Sequence, residues 1–88
     1  MFDKIMNYIK EFLENTPDDI YDFSCELEGM LLIHYDEMHK EQPRATELLN
    51  DETPDVCALG EPGMKPEEIE KFKQKLKREY EKALKEII

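Results

Sequence analysis

The sequence is short of basic residues. It carries 12 Lys and Arg against 22 Asp and Glu, which gives a formal net charge of −10 at pH 7. A protein binds nucleic acid largely by neutralising phosphates with Lys and Arg, so a surface of this charge would repel a phosphate backbone. We therefore exclude nucleic acid as a partner and expect a basic protein instead.

Long hydrophobic runs are also lacking. The longest run of aliphatic and Met residues is the four residues from Met30 to Ile33, whereas a transmembrane helix needs about 20 apolar residues. Charged residues such as Asp3 and Lys4 interrupt the first segment, which argues against a secretory signal. We expect a cytoplasmic protein with no membrane partner, folded as a single helical domain over residues 1–88.

Cysteine is scarce and is not arranged for metal binding or redox exchange. Cys25 and Cys57 have no CxxC spacing and no histidines clustered beside them, so in the cytoplasm we expect two reduced thiols. The stretch HYDEMH holds His34 and His39, but residues five apart on a helix lie about 140° apart and do not share a face. We predict no metal site there.

Other catalytic and cofactor patterns are absent. The acidic residues of 51–55 lack the ligand alternation and the central glycine of a calcium loop. Ser24 and Cys25 have no histidine spaced to activate them, and Gly60 and Gly63 fit no phosphate-binding motif. We predict that the protein is not an enzyme, has no catalytic residue and needs no cofactor.

Apolar residues recur at helical spacing, and no segment alternates as a strand would. The spacing predicts a first helix from Phe2 to about Asn15 and a second, opened by Thr16 and Pro17, that runs to about Glu41. A short helix over residues 43–49 and a last helix opened by Lys65-Pro66 complete the prediction. The expected fold is all-α: a small bundle of three long helices and one short helix, with an acidic irregular segment before the last helix.

The second helix is apolar over more than one face. Its predicted inward stripe consists of Ile20, Phe23, Leu27, Met30, Leu31, His34 and Met38. Tyr21, Cys25, Leu32 and Tyr35 widen one flank of that stripe. So wide an apolar arc predicts that the helix contacts more than one neighbouring element.

The acidic residues are concentrated in the middle of the chain. Residues 15–42 carry a net charge of −7 and residues 43–64 carry −4, whereas residues 65–88 carry +2. Ile33 has the environment of an apolar anchor within a charged rim, although it could equally pack against the first helix. The predicted partner-binding residues are Asp22, Glu26, Ile33, Asp36, Glu37, Glu47, Asp51, Glu52, Asp55 and Glu61.

The stretch LNDETPDVCALGEPGM, residues 49–64, has no clear periodicity and contains two prolines and two glycines. An irregular acidic segment can follow a concave groove better than a straight helix can. We therefore expect this segment to be irregular and to be the main recognition element.

Two stretches resemble a known family. YIKEFLENTPDDIYDFSCELEGML (residues 8–31) and NDETPDVCALGEPGMKPEEIEKFKQKLKREY (residues 50–80) resemble the opening and closing parts of the small helical immunity proteins that protect bacteria from colicin-like nucleases, closest to the colicin D type. LLIHY, residues 31–35, is similar to the second helix of the colicin E type. That type places paired tyrosines after its third helix. Leu48 and Leu49 stand there in this chain, so the residues of that hot spot do not carry over.

The resemblance implies an acidic helical protein without catalysis that caps a basic nuclease domain. We expect it to neutralise a cognate toxin, an RNase or tRNase, by blocking the active site. It would be a monomer alone and a 1:1 heterodimer with the toxin. The alternative is an acidic helical adaptor, or a regulatory protein that mimics nucleic acid.

Overall fold

The computed structural model describes residues 1–88, which form five α-helices and no strand. The helices are α1 (Phe2–Glu14), α2 (Ile20–Ile33), α3 (Tyr35–Glu41), α4 (Pro43–Cys57) and α5 (Pro66–Leu84). The prediction of an all-α fold is confirmed. No helix combines the length and the apolar character needed to span a membrane.

The first and last helices begin where the sequence indicates. α1 buries the stripe of Phe2, Ile5, Met6, Ile9 and Phe12 and ends at Glu14. α5 begins at Pro66, and the backbone N–H of Lys65 donates to Glu68 Oε1 at 2.9 Å. Proline needs no hydrogen-bond acceptor at the first helical position, and a glutamate in the first turn satisfies a free amide.

The prediction of one long second helix is wrong, because two helices occupy that stretch. α2 begins at Ile20, since Asp19 Oδ1 accepts the N–H of Asp22 at 2.9 Å and caps the helix. The hydroxyl of Thr16 instead donates to the carbonyl of Phe12 at 3.0 Å, at the end of α1. His34, with φ −102° and ψ 11°, then separates α2 from α3.

The prediction of an irregular acidic segment over residues 49–64 is also wrong for half of its length. α4 continues to Cys57, so residues 58–65 alone form the loop before α5. Pro54 has no N–H and leaves the carbonyl of Asn50 without its usual helical donor. The helix nevertheless continues, because burial of one face offsets that loss. The buried residues are Ala45, Thr46, Leu49, Thr53, Val56 and Cys57.

The core is built around an aromatic cluster from three helices. Phe12 of α1 stacks on Phe23 of α2 with ring centroids 3.8 Å apart, and Phe72 of α5 meets Phe12 edge-on at 5.7 Å. All three rings are buried. Stacked and edge-to-face pairs both satisfy the quadrupole of the rings, so the cluster fixes the mutual orientation of α1, α2 and α5.

A close backbone approach connects the loop after α4 to α2. Gly60 is buried, and a Cβ at this position would lie 2.0 Å from the Oγ of Ser24 and 2.8 Å from its Cβ. Ser24 is itself buried, and its hydroxyl donates to the carbonyl of Ile20 at 2.8 Å. Glycine is therefore required at residue 60 for steric reasons.

We expect Gly60→Ala to destabilise the protein by about 1–3 kcal/mol, because the added methyl group overpacks the contact with Ser24. Gly29→Ala is the matched control, since Gly29 lies within α2 and a Cβ there meets no atom within 4 Å. That change should stabilise the protein by about 0.5–1 kcal/mol through helix propensity. Urea unfolding measures both, and equal shifts in the two variants would contradict the packing of Gly60 on Ser24.

Candidate partner-binding surface

The ten predicted binding residues all have exposed side chains, but they lie on three helices and one loop. Asp22, Glu26 and Ile33 belong to α2, and Asp36 and Glu37 belong to α3. The remaining residues extend along α4 and into the loop that follows; they are Glu47, Asp51, Glu52, Asp55 and Glu61.

The α2 residues form a continuous stripe. Asp22, Glu26, Gly29 and Ile33 follow one another at intervals of four, three and four residues, which keeps them on one side of a helix. Ile33 is 76% exposed. Packing of Ile33 in the core, the other interpretation of its position, is thus incorrect, and an apolar side chain stands in solvent at the end of an acidic stripe.

A hydrogen bond to α1 holds one carboxylate of the stripe in place. The hydroxyl of Tyr8 donates to Glu26 Oε2 at 2.8 Å, and the Tyr8 ring stacks on Phe23 at 5.1 Å. Burial, and then the hydrogen bond to Glu26 and its negative charge, raise the pKa of Tyr8 above its usual range. The phenol therefore stays protonated at neutral pH and remains a donor to Glu26.

A second, apolar stripe runs beside the first one. Tyr21, Cys25 and Leu32 recur at intervals of four and seven residues; Tyr21 is 48% exposed and Leu32 is 81% exposed. Sequence reasoning expected another element of the chain to cover this flank, and that expectation was wrong for these three residues. We call the two stripes together, Asp22, Glu26 and Ile33 with Tyr21, Cys25 and Leu32, the α2 surface.

The acidic residues Asp36 and Glu37 of α3 follow the α2 surface in the sequence, after the break at His34. Glu37 Oε2 lies 3.9 Å from the amino group of Met1, which makes its closer contact, at 2.9 Å, with Glu41 Oε2. The carboxylates of Asp22, Glu26 and Asp36 take part in no ion pair. The acidic charge on this side is therefore largely uncompensated within the molecule.

The acidic residues of α4 differ from these, because basic side chains of the protein lie close to two of them. Glu47 Oε2 lies 3.1 Å from His39 Nε2, and its other oxygen lies 4.0 Å from Arg44 Nη1. Glu52 Oε2 lies 3.4 Å from Lys82 Nζ of α5. Cationic side chains of the protein thus compensate part of the charge on α4.

Asp55 of α4 faces cations across a shallow groove of about 360 Å³, whose lining includes Lys75 and Arg78 of α5. Asp51 and Glu61 form no ion pair. The first part of the predicted recognition segment, residues 49–57, is therefore helical and belongs to a helix that packs against α5, the most basic helix of the protein.

No cluster of metal-ligating side chains is present, and one of the two thiols is buried. The side chains of His, Cys, Asp and Glu form no group of three that could hold a metal ion. Both cysteines are free thiols. Burial raises the pKa of Cys57 to about 12, so its nucleophilic thiolate is scarce at neutral pH.

Comparisons with known proteins identify no relative: no family model matches the chain, and neither the curated proteins nor the solved structures yield a match. The resemblance to immunity proteins stays a prediction from the quoted sequence stretches.

One buried acid lies beneath the ion pair between α4 and α5. The side chain of Glu79 is 4% exposed, and Lys82 Nζ lies 3.4 Å from Glu79 Oε2, the same distance as from Glu52 Oε2. Desolvation raises the pKa of Glu79, although the charge of Lys82 acts in the opposite direction. The ionised carboxylate is therefore less favourable in the folded protein than in the unfolded chain.

We expect Glu79→Gln to be more stable than the wild type at neutral pH. When the pKa of an acid is higher in the folded protein than in the unfolded chain, the acid does not lower the unfolding free energy below the pKa of the unfolded chain. It lowers the unfolding free energy as pH rises from that pKa through the pKa of the folded protein. The difference in unfolding free energy between variant and wild type should thus grow from about pH 4, near the ordinary pKa of Glu, to pH 7. Urea unfolding across that range measures it. Glu81→Gln, exposed on the same helix, controls for the general loss of one negative charge, and a difference that shrinks as pH rises would contradict the prediction.

Proposed function

We propose that this protein is an immunity protein, which binds a basic bacterial nuclease toxin, an RNase or tRNase, and neutralises it by covering its active site. The observation that carries the proposal is Ile33, which is 76% exposed at the end of a stripe of unpaired carboxylates. An exposed apolar side chain within a polar rim is the usual arrangement of a binding hot spot. The resemblance of residues 8–31 and 50–80 to colicin-type immunity proteins supplies the class of partner.

The charge of the protein suits such a partner. A nuclease presents Lys, Arg and His to the phosphates of its substrate, so a surface of carboxylates can occupy the same groove as the substrate backbone. The net charge of −10 would also accelerate encounter with a basic domain, and fast association matters for the capture of a lethal enzyme.

The proposed contact centres on the α2 surface and on the neighbouring Asp36 and Glu37 of α3. Carboxylates that have no internal cation gain most from a basic partner, because no existing ion pair must be broken first. Asp22, Glu26 and Asp36 meet that condition, whereas Glu47 and Glu52 do not. The binding roles predicted for the acids of α4 and for Glu61 stay predictions, as do the monomeric free state and the 1:1 complex.

The direct test first asks whether the reading frame upstream of this gene encodes a C-terminal toxin domain, as expected for an immunity gene, and then uses that domain. The two purified proteins should form a 1:1 complex in light scattering, and RNA cleavage by the domain should cease at equimolar protein. A complex that leaves cleavage unchanged would favour the adaptor function instead. The absence of any complex would refute the immunity function for this pair.

We expect Ile33→Ala to weaken binding about tenfold or more, which corresponds to about 1.4 kcal/mol, because it removes the apolar anchor of the contact. Unfolding free energy should change by less than about 1 kcal/mol, since the side chain is exposed. Ile87→Ala is the matched control, because it makes the same change at an exposed isoleucine after α5, outside the predicted binding residues. Calorimetric titration measures the affinities, and equal effects of the two changes would exclude Ile33 as the anchor.

Charge reversal tests whether the partner contacts the α2 surface or α4. Asp22→Lys with Asp36→Lys should slow association and reduce its dependence on salt more than Glu52→Lys with Asp55→Lys. The carboxylates of the first pair form no ion pair, whereas Glu52 is paired with Lys82 and Asp55 shares a groove with Lys75 and Arg78. Stopped-flow kinetics at two ionic strengths measure both. A larger effect of the α4 pair would return the recognition element to residues 49–64, where the sequence placed it.

A further inference from the structure

A groove between α1 and α2 opens beside the α2 surface. It has a volume of about 440 Å³ and lies where the two helices diverge from the turn that joins them. Its floor is aromatic, formed by Tyr8, Phe12 and Phe23, and its walls carry the carboxylates of Glu11, Asp19 and Asp22. The groove thus combines π-faces with negative charge.

The aromatic floor is held rigidly. The rings of Phe12 and Phe23 are stacked at 3.8 Å with 12° between their planes, and the ring of Tyr8 lies at 5.1 Å and 19° from that of Phe23. Three nearly parallel rings form a ladder across the base of the groove. Tyr8 is the half-buried member and has the most accessible ring.

The charge of the groove has no counterpart in the protein. No Lys or Arg lines it, whereas each of the other four main surface grooves is lined by at least one lysine. Glu11, Asp19 and Asp22 form no ion pair. Asp19 uses only Oδ1 to cap α2, which leaves its second oxygen available to a ligand.

We propose that this groove receives an arginine side chain of the basic partner; the inference rests on the proposed function and names a subsite of that contact. A guanidinium group is planar, so it can stack on the accessible Tyr8 ring while its N–H groups donate to the carboxylates of the walls. An anion would be repelled. An apolar side chain would desolvate three carboxylates without compensation.

The experiment titrates N-acetyl-arginine amide into the ¹⁵N- and ¹³C-labelled protein and follows the spectrum by NMR. We expect saturable shifts of the Tyr8 ring protons and of the amides of Glu11 and Asp22, with a dissociation constant in the millimolar range. N-acetyl-lysine amide should bind several-fold more weakly, because an ammonium group cannot stack as a plane. N-acetyl-citrulline amide, which has the same shape without the charge, should cause no saturable shift.

A matched pair of variants tests whether the arginine probe binds in this groove. Glu11→Gln should weaken binding of the arginine probe about two- to fivefold, the range expected for one exposed ion pair. Glu14→Gln removes the same charge one turn later on α1, where the side chain lines the groove between α1 and α5 instead, and should leave binding unchanged. Equal effects of the two changes, equal binding of all three probes, or no saturable shift would overturn the arginine subsite.

Failure of the arginine subsite can be distinguished from failure of the proposed immunity function. If the nuclease domain binds and is inhibited but the arginine probe does not bind, the subsite is wrong and the immunity function stands. If the probe binds as described while the adjacent nuclease domain forms no complex, the chemistry of the groove is supported and that choice of partner is refuted.

Discussion

The stacking of Phe12 on Phe23 is the contact on which the arrangement of this protein depends. It fixes α1 against α2, and the edge of Phe72 locks both helices to α5. α2 buries Ile20, Phe23, Ser24, Leu27 and Leu31 against its neighbours, and its exposed face carries the acidic and apolar stripes. The same two rings form part of the floor of the groove between α1 and α2. This packing interaction thus contributes to the core and also borders both proposed contact sites.

The distribution of internal cations divides the acidic residues into two groups. α5 supplies Lys75, Arg78 and Lys82 to the side on which α4 lies, and Lys82 approaches Glu52 and the buried Glu79 together. The acidic residues of α2 and α3 have no lysine or arginine within ion-pair distance. The charge of Glu47 and Glu52 is therefore compensated within the molecule, whereas that of Asp22, Glu26 and Asp36 is available to a partner.

Helical periodicity predicted the elements that have one strong apolar stripe. The bounds of α1, the start of α5 and the buried residues Ile20, Phe23, Leu27, Leu31 and Met38 were all predictable in this way. α4 was not, because its buried stripe includes Thr46 and Thr53, which are polar by type, and because Pro54 is typical of a helix end. Its signal was present in the spacing of Leu49, Thr53, Val56 and Cys57, once threonine is counted as a residue that tolerates burial. Tertiary packing against α5 then outweighed the unfavourable local propensity.

The exposure of Ile33 was one of two interpretations of the sequence, and that of Leu32 was not predicted, because apolar residues on a helix are as consistent with a second neighbour as with a binding surface. The break at His34 leaves both side chains exposed, because α2 ends directly after them and no other helix covers them. An uncovered apolar patch of this kind usually finds a partner. A second copy of this chain is a poor candidate, since the patch is bordered by Asp22, Glu26 and Asp36 and two molecules of charge −10 repel each other. A basic partner removes that repulsion and buries the apolar side chains at the same time, which is why charge and hydrophobicity indicate the same class of ligand.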